Sequence, residues 1–245
     1  MPNRKYPVGE SPWWIGRVGL NKGTRCYVRV FHFLNAQYGI DDIKRRRLKI
    51  STISDLNDPF ELLSIDLSNR NLRKAFLATK EQMSKNRGIL CFSMKWSNPV
   101  LWSHYADKHR GLCLGFDIPD DHLVPVSYTA KRLVKEAKQL SGTSSINEET
   151  MLKFLSTKYA HWKYESEARR FLELEDKDPE SALYFADFSE KLKLVQIIVG
   201  TRSSVSRSEV SEALGIHQNG VRVFKARLAF RSFRVVRNRN EALWG

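Results

Sequence analysis

The segment CFSMKWSNPVLWSHYADKHRGLCLGFDI, residues 91–118, decides the fold. Its ends, Ile89–Ser93 and Gly111–Asp117, are short apolar runs of the kind that form buried strands. The stretch around Asn98–Asp107 between them predicts a turn or short helix. That connection carries Trp102, His104 and Tyr105, and a later run, WKYESEARRF at 162–171, adds Glu165 and Glu167. Polar and aromatic groups interleaved with core-like residues in this way point to a site rather than to a plain core.

Working outward, alternation from Cys26 to Leu34 predicts a strand with Cys26, Val28, Val30, His32 and Leu34 on one face. Asp41 and Asp42 can open a short helix through Arg47, and Leu48–Thr52 reads as a second strand. SDLNDPFE at 54–61 is loop chemistry, with Asn57 and Asp58 ahead of Pro59. Asn69–Arg87 reads as a helix with Leu72, Ala75, Phe76, Thr79 and Met83 on one stripe and Gly88 after its basic last turn. Lys131–Leu140 predicts a helix, and Ser145-x-x-Glu148 offers a capping box for another that reaches Trp162. Leu194–Val199 is a buried strand ending at Gly200. Ser206-x-x-Glu209 caps a helix that Gly215 ends, and Asn219-Gly220 is a turn. The next strand has Phe224, Ala226, Leu228 and Phe230 on one face and Lys225, Arg227 and Arg231 on the other. These elements predict one α+β domain over 25–245, with a helical insertion at 129–162 and an N-terminal arm at 1–24.

The 245 residues are 42% hydrophobic, enough for a sizeable core. No apolar run approaches the length of a bilayer span, and the first residues lack a secretory pattern. Three cysteines without CxxC spacing fit a reducing compartment, so a cytoplasmic protein without a membrane partner is expected. Charge is the strongest bulk signal: 41 Lys and Arg against 27 acids give +14. Such a field attracts polyanions, with RNA or DNA first; an acidic partner such as an antitoxin, or a chaperone, is the other expectation. Residues 222–239 hold seven basic side chains and no acid, and Arg45, Arg46 and Arg47 form a second cluster. Lys225, Arg227 and Arg231 with those three arginines are the expected nucleic-acid contacts.

For chemistry, Glu165 and Glu167 in a strand would project together, and closely spaced carboxylates raise one pKa and suit acid–base work. In a helix, Glu165 and Arg169 would instead form an i,i+4 pair. His32 is a candidate hydrogen-bond donor to a ribose hydroxyl, and Tyr105 a candidate face for a flat heterocycle. His104, Asp107 and His109, or His161 with Glu165, are weak metal candidates, since no HExxH or Cys/His cluster appears. There is no GxxxxGK[ST], GxGxxG or GxSxG pattern.

The motifs LNDPFE (56–61), CFS (91–93), WSHYA (102–106), GLCLGFD (111–117), WKYESEAR (162–169) and VQIIVG (195–200) resemble a bacterial family known as domain of unknown function 2971. The match covers roughly residues 27–235, with Leu56 departing from a usual phenylalanine. The order of strand histidine, central tyrosine and late Glu-x-Glu is in turn similar to the ADP-ribosyltransferase superfamily. That resemblance implies a split, mixed or antiparallel β-sheet core and NAD as co-substrate. It implies His32 on the NAD ribose, Tyr105 on nicotinamide, Ser93 and Asn57 in cofactor binding, Glu167 stabilising the transition state and Glu165 orienting or deprotonating the acceptor. Ser93 matches only part of the superfamily's Ser-Thr-Ser strand. The implied function is ADP-ribosylation of nucleic acid by a toxin or anti-phage effector. The alternatives are a non-catalytic nucleic-acid-binding module and a metal-dependent nuclease.

Overall fold

The structure, a computed structural model, describes residues 26–60, 63–134 and 148–244. The expected N-terminal arm (1–24) and most of the expected helix over 131–140 lie outside the described residues. The chain is α+β: ten strands form one mixed, curled half-barrel sheet, and helices cover both faces.

The centre of the sheet is built from the most apolar runs. Strand β1 (Tyr27–Leu34) pairs antiparallel with β4 (Leu112–Pro119) over eight residues, and β4 pairs with β10 (Lys193–Val199). Beyond β10 lie β11 (Arg222–Leu228), parallel to it, and β12 (Val235–Arg237). On the other side of β1 come β3 (Arg87–Ser93), β2 (Arg47–Thr52) and β9 (Tyr184–Asp187). Strand β8 (Glu167–Glu173) runs the whole length of β3 and also pairs with the two-residue β5 (Val124–Pro125). A separate parallel pair joins β6 (Ser127–Thr129) to β7 (Thr157–Tyr159).

Burial on both faces explains why β4 reads as a near-continuous hydrophobic run. One face carries Val30, Leu114 and Ile197 against helices α1 (Ala36–Arg45) and α5 (Arg207–Leu214). The other carries Phe31, Phe33 and Ile198 against α3 (Pro99–Tyr105), whose Trp102 is fully buried. A third cluster gathers Ile53, Ile89 and Phe154 around Phe76 of α2 (Arg70–Asn86).

Several boundaries differ from expectation. Helix α1 begins at Ala36 because the Asn35 side chain accepts the Tyr38 N–H, so Asp41 and Asp42 fall inside it. Gly88 does not end α2; it lies in β3, where a Cβ would come 2.2 Å from Ile50 Cγ2. The helix expected to reach Trp162 is α4 (Glu148–Leu155). It stops because the Ser156 and Thr157 hydroxyls donate back to the Leu152 and Lys153 carbonyls, and the chain then enters β7. The 129–162 insertion is therefore not wholly helical. The capping box of Ser206 and Glu209 and the turn at Gly215 form as read.

After α3 the chain makes a left-handed turn in which Asp107, Lys108 and His109 all have positive φ. This turn presents the His109 and Gly111 carbonyls to Gly200, whose N–H donates to Gly111 O. A Cβ on Gly200 would sit 2.3 Å from His109 O and 2.7 Å from Gly111 O, both backbone atoms that cannot swing away. Gly200→Ala is therefore expected to cost about 1–3 kcal/mol and to lower the melting temperature by roughly 2–12 °C, read by calorimetry. An unchanged melting temperature would mean that the turn yields freely.

Candidate functional site

Strands β1 and β3 share a single residue pair, Phe31 with Ser93, and then diverge. A cavity of about 270 Å3 opens in that fork. Its walls include Phe31 and Phe33 of β1, Ser93 of β3, Asn57, Tyr105 and the two glutamates. His32, Ser93, Asn57, Tyr105, Glu165 and Glu167, scattered over more than half the sequence, thus meet at one place.

Two elements, rather than one strand, deliver the acids. Glu165 ends a 3-10 turn (Ala160–Glu165), Ser166 is left-handed at φ 45°, and Glu167 opens β8. The reversal at Ser166 turns both carboxylates towards Lys158. The Lys158 ammonium donates to Glu165 Oε2 at 2.6 Å and to Glu167 Oε2 at 3.2 Å. Arg169 holds Glu167 through Nε to Oε1 (2.7 Å) and Nη2 to Oε2 (3.2 Å), and its Nη1 donates to the Leu155 carbonyl. The expected alternative, a helical Glu165–Arg169 pair, does not form. All four side chains of this network are buried.

The two acids differ in environment. Burial pushes the Glu165 carboxyl up, and Lys158 only partly offsets this. Burial acts on Glu167 in the same direction, but Arg169 and Lys158 overcome it and hold that carboxyl below the usual range. Glu165 is thus the more basic carboxylate and Glu167 the firmly ionised one.

Tyr105 donates its hydroxyl to Glu165 Oε1 and accepts from Asn57 Nδ2 at 2.7 Å. Burial, then the contact with Glu165, drives its pKa far up, so the phenol stays neutral. The Ser93 hydroxyl donates to the Glu165 backbone carbonyl at 2.6 Å, which makes it a positioning group for the acid. His32 Nδ1 lies 2.9 Å from the Cys91 carbonyl oxygen. A carbonyl only accepts, so Nδ1 carries the hydrogen; burial lowers the ring's pKa and keeps it neutral, which makes Nε2 an acceptor. With Nδ1 tied to Cys91, the neutral ring has only an acceptor left at Nε2, not the donor considered from the sequence.

Lys158 was not singled out by sequence reading. It is one of several lysines near an apolar-aromatic run, and only its burial distinguishes it. Among the described residues no group of three or more His, Cys, Asp or Glu side chains is placed to hold a metal ion. His109 instead stacks on Trp102 and meets the Ser103 hydroxyl.

The six expected nucleic-acid contacts do not form one patch. Arg45, Arg46 and Arg47 lie at the β2–β9 edge, whereas Lys225, Arg227 and Arg231 belong to β11 and its following loop near the opposite edge. At the first edge Arg45 pairs with Asp41 and Glu180, Arg47 pairs with Asp178 and covers the Phe185 ring, and Arg46 lies over Phe188. Acids of the chain offset much of that charge. At the other edge Lys225 donates to the Ser203 carbonyl, Arg227 lies over Phe230 and Arg231 is exposed. Among the described residues no helix is long and apolar enough to cross a membrane.

No protein-family model, curated protein or solved structure matches the chain.

Proposed function

We propose that the chain is an NAD-dependent ADP-ribosyltransferase that modifies nucleic acid. The observation that carries this reading is the fork between β1 and β3, where a strand histidine, a helix tyrosine and two late glutamates line one cavity. A sheet that separates at that point is what the superfamily resemblance implies. The resemblance to the domain of unknown function 2971 family rests on the six motifs quoted above.

The donor set suits the nicotinamide end of NAD. At about 270 Å3 the cavity lies just below the roughly 300–1,000 Å3 of typical ligand pockets, room for a heterocycle and its ribose rather than for the whole dinucleotide. Phe31, Phe33 and Leu101 give it apolar walls. NAD supplies an activated glycosidic bond whose cleavage leaves positive charge on the ribose. The chain's part is to hold charge and hydrogen bonds against it. His32 Nε2 accepts from a ribose hydroxyl, and the Tyr105 ring, fixed at its hydroxyl by Asn57 and Glu165, lies against the heterocycle. Glu165, the less tightly neutralised acid, serves as base towards an acceptor hydroxyl or amine and also faces the developing charge. The resemblance implies the latter role for Glu167, and we move it here because Arg169 already neutralises that acid. Glu167 is held by Arg169 and fixes Lys158, which in turn orients Glu165. The superfamily analogy extends to a role as an intracellular toxin or anti-phage effector.

The second reading, a non-catalytic nucleic-acid-binding module, is favoured by one observation: each oxygen of both carboxylates already has a partner within the chain. The two readings separate in a transfer assay with labelled NAD and RNA, DNA or total protein, run with and without chelator. Label on nucleic acid that survives chelation and vanishes in Glu165→Gln is the expected result. Label on protein keeps the enzyme and removes the nucleic-acid target. No label and no nicotinamide release, with folded protein and all acceptors present, leaves the binding module.

A further inference from the structure

The loop between β11 and β12 has a composition that the core does not explain. Strand β11 alternates as expected through Phe224 and Ala226, which are buried, but the pattern fails at its end. Phe230 is 90% exposed and Phe233 is 99% exposed, and Leu228 is also exposed. Two phenylalanines in water at one loop tip are costly to solubility unless something covers them. Arg227, Arg231 and Arg234 flank them in the sequence, and the Arg227 guanidinium lies 4.3 Å from the Phe230 ring centroid.

The loop is held rather than loose. Leu228 pairs with Val235 across the hairpin, the Ala229 N–H donates to Arg234 O, and Arg227 donates to Leu228 O. The hairpin also docks on the segment that starts α3. Val235 N–H donates to Ser97 O, and Arg234 Nη2 donates to Ser97 Oγ at 3.1 Å. Asn98 then caps α3, the helix that carries Tyr105 to the cavity. The exposed rings therefore sit on a scaffold continuous with the candidate site.

Charge selects the occupant. A second copy of this chain carries +14 and is repelled by the arginines. Residues 1–25 hold Arg4, Lys5, Arg17, Lys22 and Arg25 against Glu10 alone, so they share that sign. A lipid surface would accept the rings, but Arg231 and Ser232 stand between Phe230 and Phe233 at the tip, and insertion would drag an arginine into hydrocarbon. Aromatic rings alternating with arginines match a ligand that offers flat faces at intervals along an anionic backbone.

We infer that the β11–β12 hairpin binds single-stranded nucleic acid, with Phe230 and Phe233 as base-stacking platforms and Arg227, Arg231 and Arg234 against phosphates. This deepens the nucleic-acid half of the proposed function and does not depend on its NAD half.

The test is anisotropy binding, without NAD, to single-stranded RNA and DNA of about 12 nucleotides, to a duplex of the same sequence and to phosphatidylserine-containing vesicles. Single strands are expected to bind best. Phe230→Ala and Phe233→Ala should each weaken that binding by roughly 5–150-fold, the range for losing one stacked base. Phe230→Leu, which keeps apolar bulk but loses the π face, should weaken it similarly, while Phe230→Trp should retain it. Arg231→Gln should reduce the salt slope by about 0.7. Both rings are exposed, so these variants should keep the wild-type melting temperature. Wild-type binding by Phe230→Leu, or equal affinity for duplex, overturns the stacking assignment. Vesicle binding that survives Phe230→Leu, with no oligonucleotide binding, reassigns the hairpin to a membrane surface. Intact single-strand binding without any label from NAD would remove the transferase and leave the hairpin. Transfer that is intact in hairpin variants with unchanged binding would do the opposite.

Discussion

Arg169→Met is expected to lower the unfolding free energy by about 3–5 kcal/mol, a large share of the roughly 5–15 kcal/mol that a domain has. The arginine is 1% exposed, and its guanidinium occupies both oxygens of Glu167, itself 6% exposed. Removing it leaves a carboxylate in the interior with the longer bond from Lys158 and the Cys91 thiol, neither of which replaces a guanidinium, and takes a donor from the Leu155 carbonyl as well. Desolvation is not recovered when one member of such a pair is lost. Replacing both members is different, because neither charge then has to be buried. Glu167→Met with Arg169→Met should therefore recover most of the lost stability, since Lys158 keeps its bond to Glu165. Urea unfolding with an unchanged m-value checks the prediction. A loss under about 1 kcal/mol for the single variant would mean that water reaches Glu167 in the folded protein.

On the proposed transferase reading, the second large effect separates catalysis from folding at the neighbouring acid. Glu165→Gln should reduce transfer by about 100–1,000-fold, the usual cost of removing a group that meets charge developing in the transition state. It should do so without unfolding the chain, since the amide oxygen can still accept from Tyr105 or Lys158 and Lys158 keeps Glu167. Stability should move with pH in a definite direction. The folded carboxyl is raised, so the fold favours its protonated form. That contribution is fully present below the unfolded pKa and is lost as pH rises through the folded value. Glu167 has the opposite sign: its folded carboxyl is lowered, and its contribution is present above the unfolded pKa and lost as pH falls through the folded one. Relative to Glu165→Gln, the wild type should therefore lose stability as pH rises above the ordinary glutamate range. Thermal unfolding from pH 4 to 8 measures the difference; a constant offset would mean that Lys158 neutralises Glu165 completely.

The strands were legible because their burial is extreme. Tyr27–Leu34, Leu112–Pro119 and Lys193–Val199 are central, and each is too apolar to lie elsewhere. Helix ends were legible where a local side chain sets them, as at Asn69 and at Ser206 with Glu209. They were misread where distant packing decides. Gly88 reads as following a helix, but it lies in β3 against Ile50, whereas the start of α1 was missed although the Asn35 side chain sets it locally. The residue set of the site was readable in its polar and aromatic members, but its wiring was not. Nothing local marks Lys158 as the cation between the acids or Ser166 as a left-handed hinge. The alternation of β11 seemed to continue through Phe230, because a period-two pattern cannot show where a strand leaves the sheet.

Strand β3 has one further consequence, for the order in which the molecule opens. It pairs with β8 along its whole length on one edge, while β2 and then β1 share the other. Its interior residues, Ile89, Leu90 and Phe92, are almost completely buried. Amide protons of such a strand exchange only through the rarest openings, whereas those of the edge strands β9 and β12 exchange through local fraying. The β3 residues that line the cavity, and with them the strand that opposes Glu167, thus belong to the last cooperative unit to come apart. Fluctuations that release the outer strands would leave the acids in register, and the slowest hydrogen exchange among the described residues should map to β3.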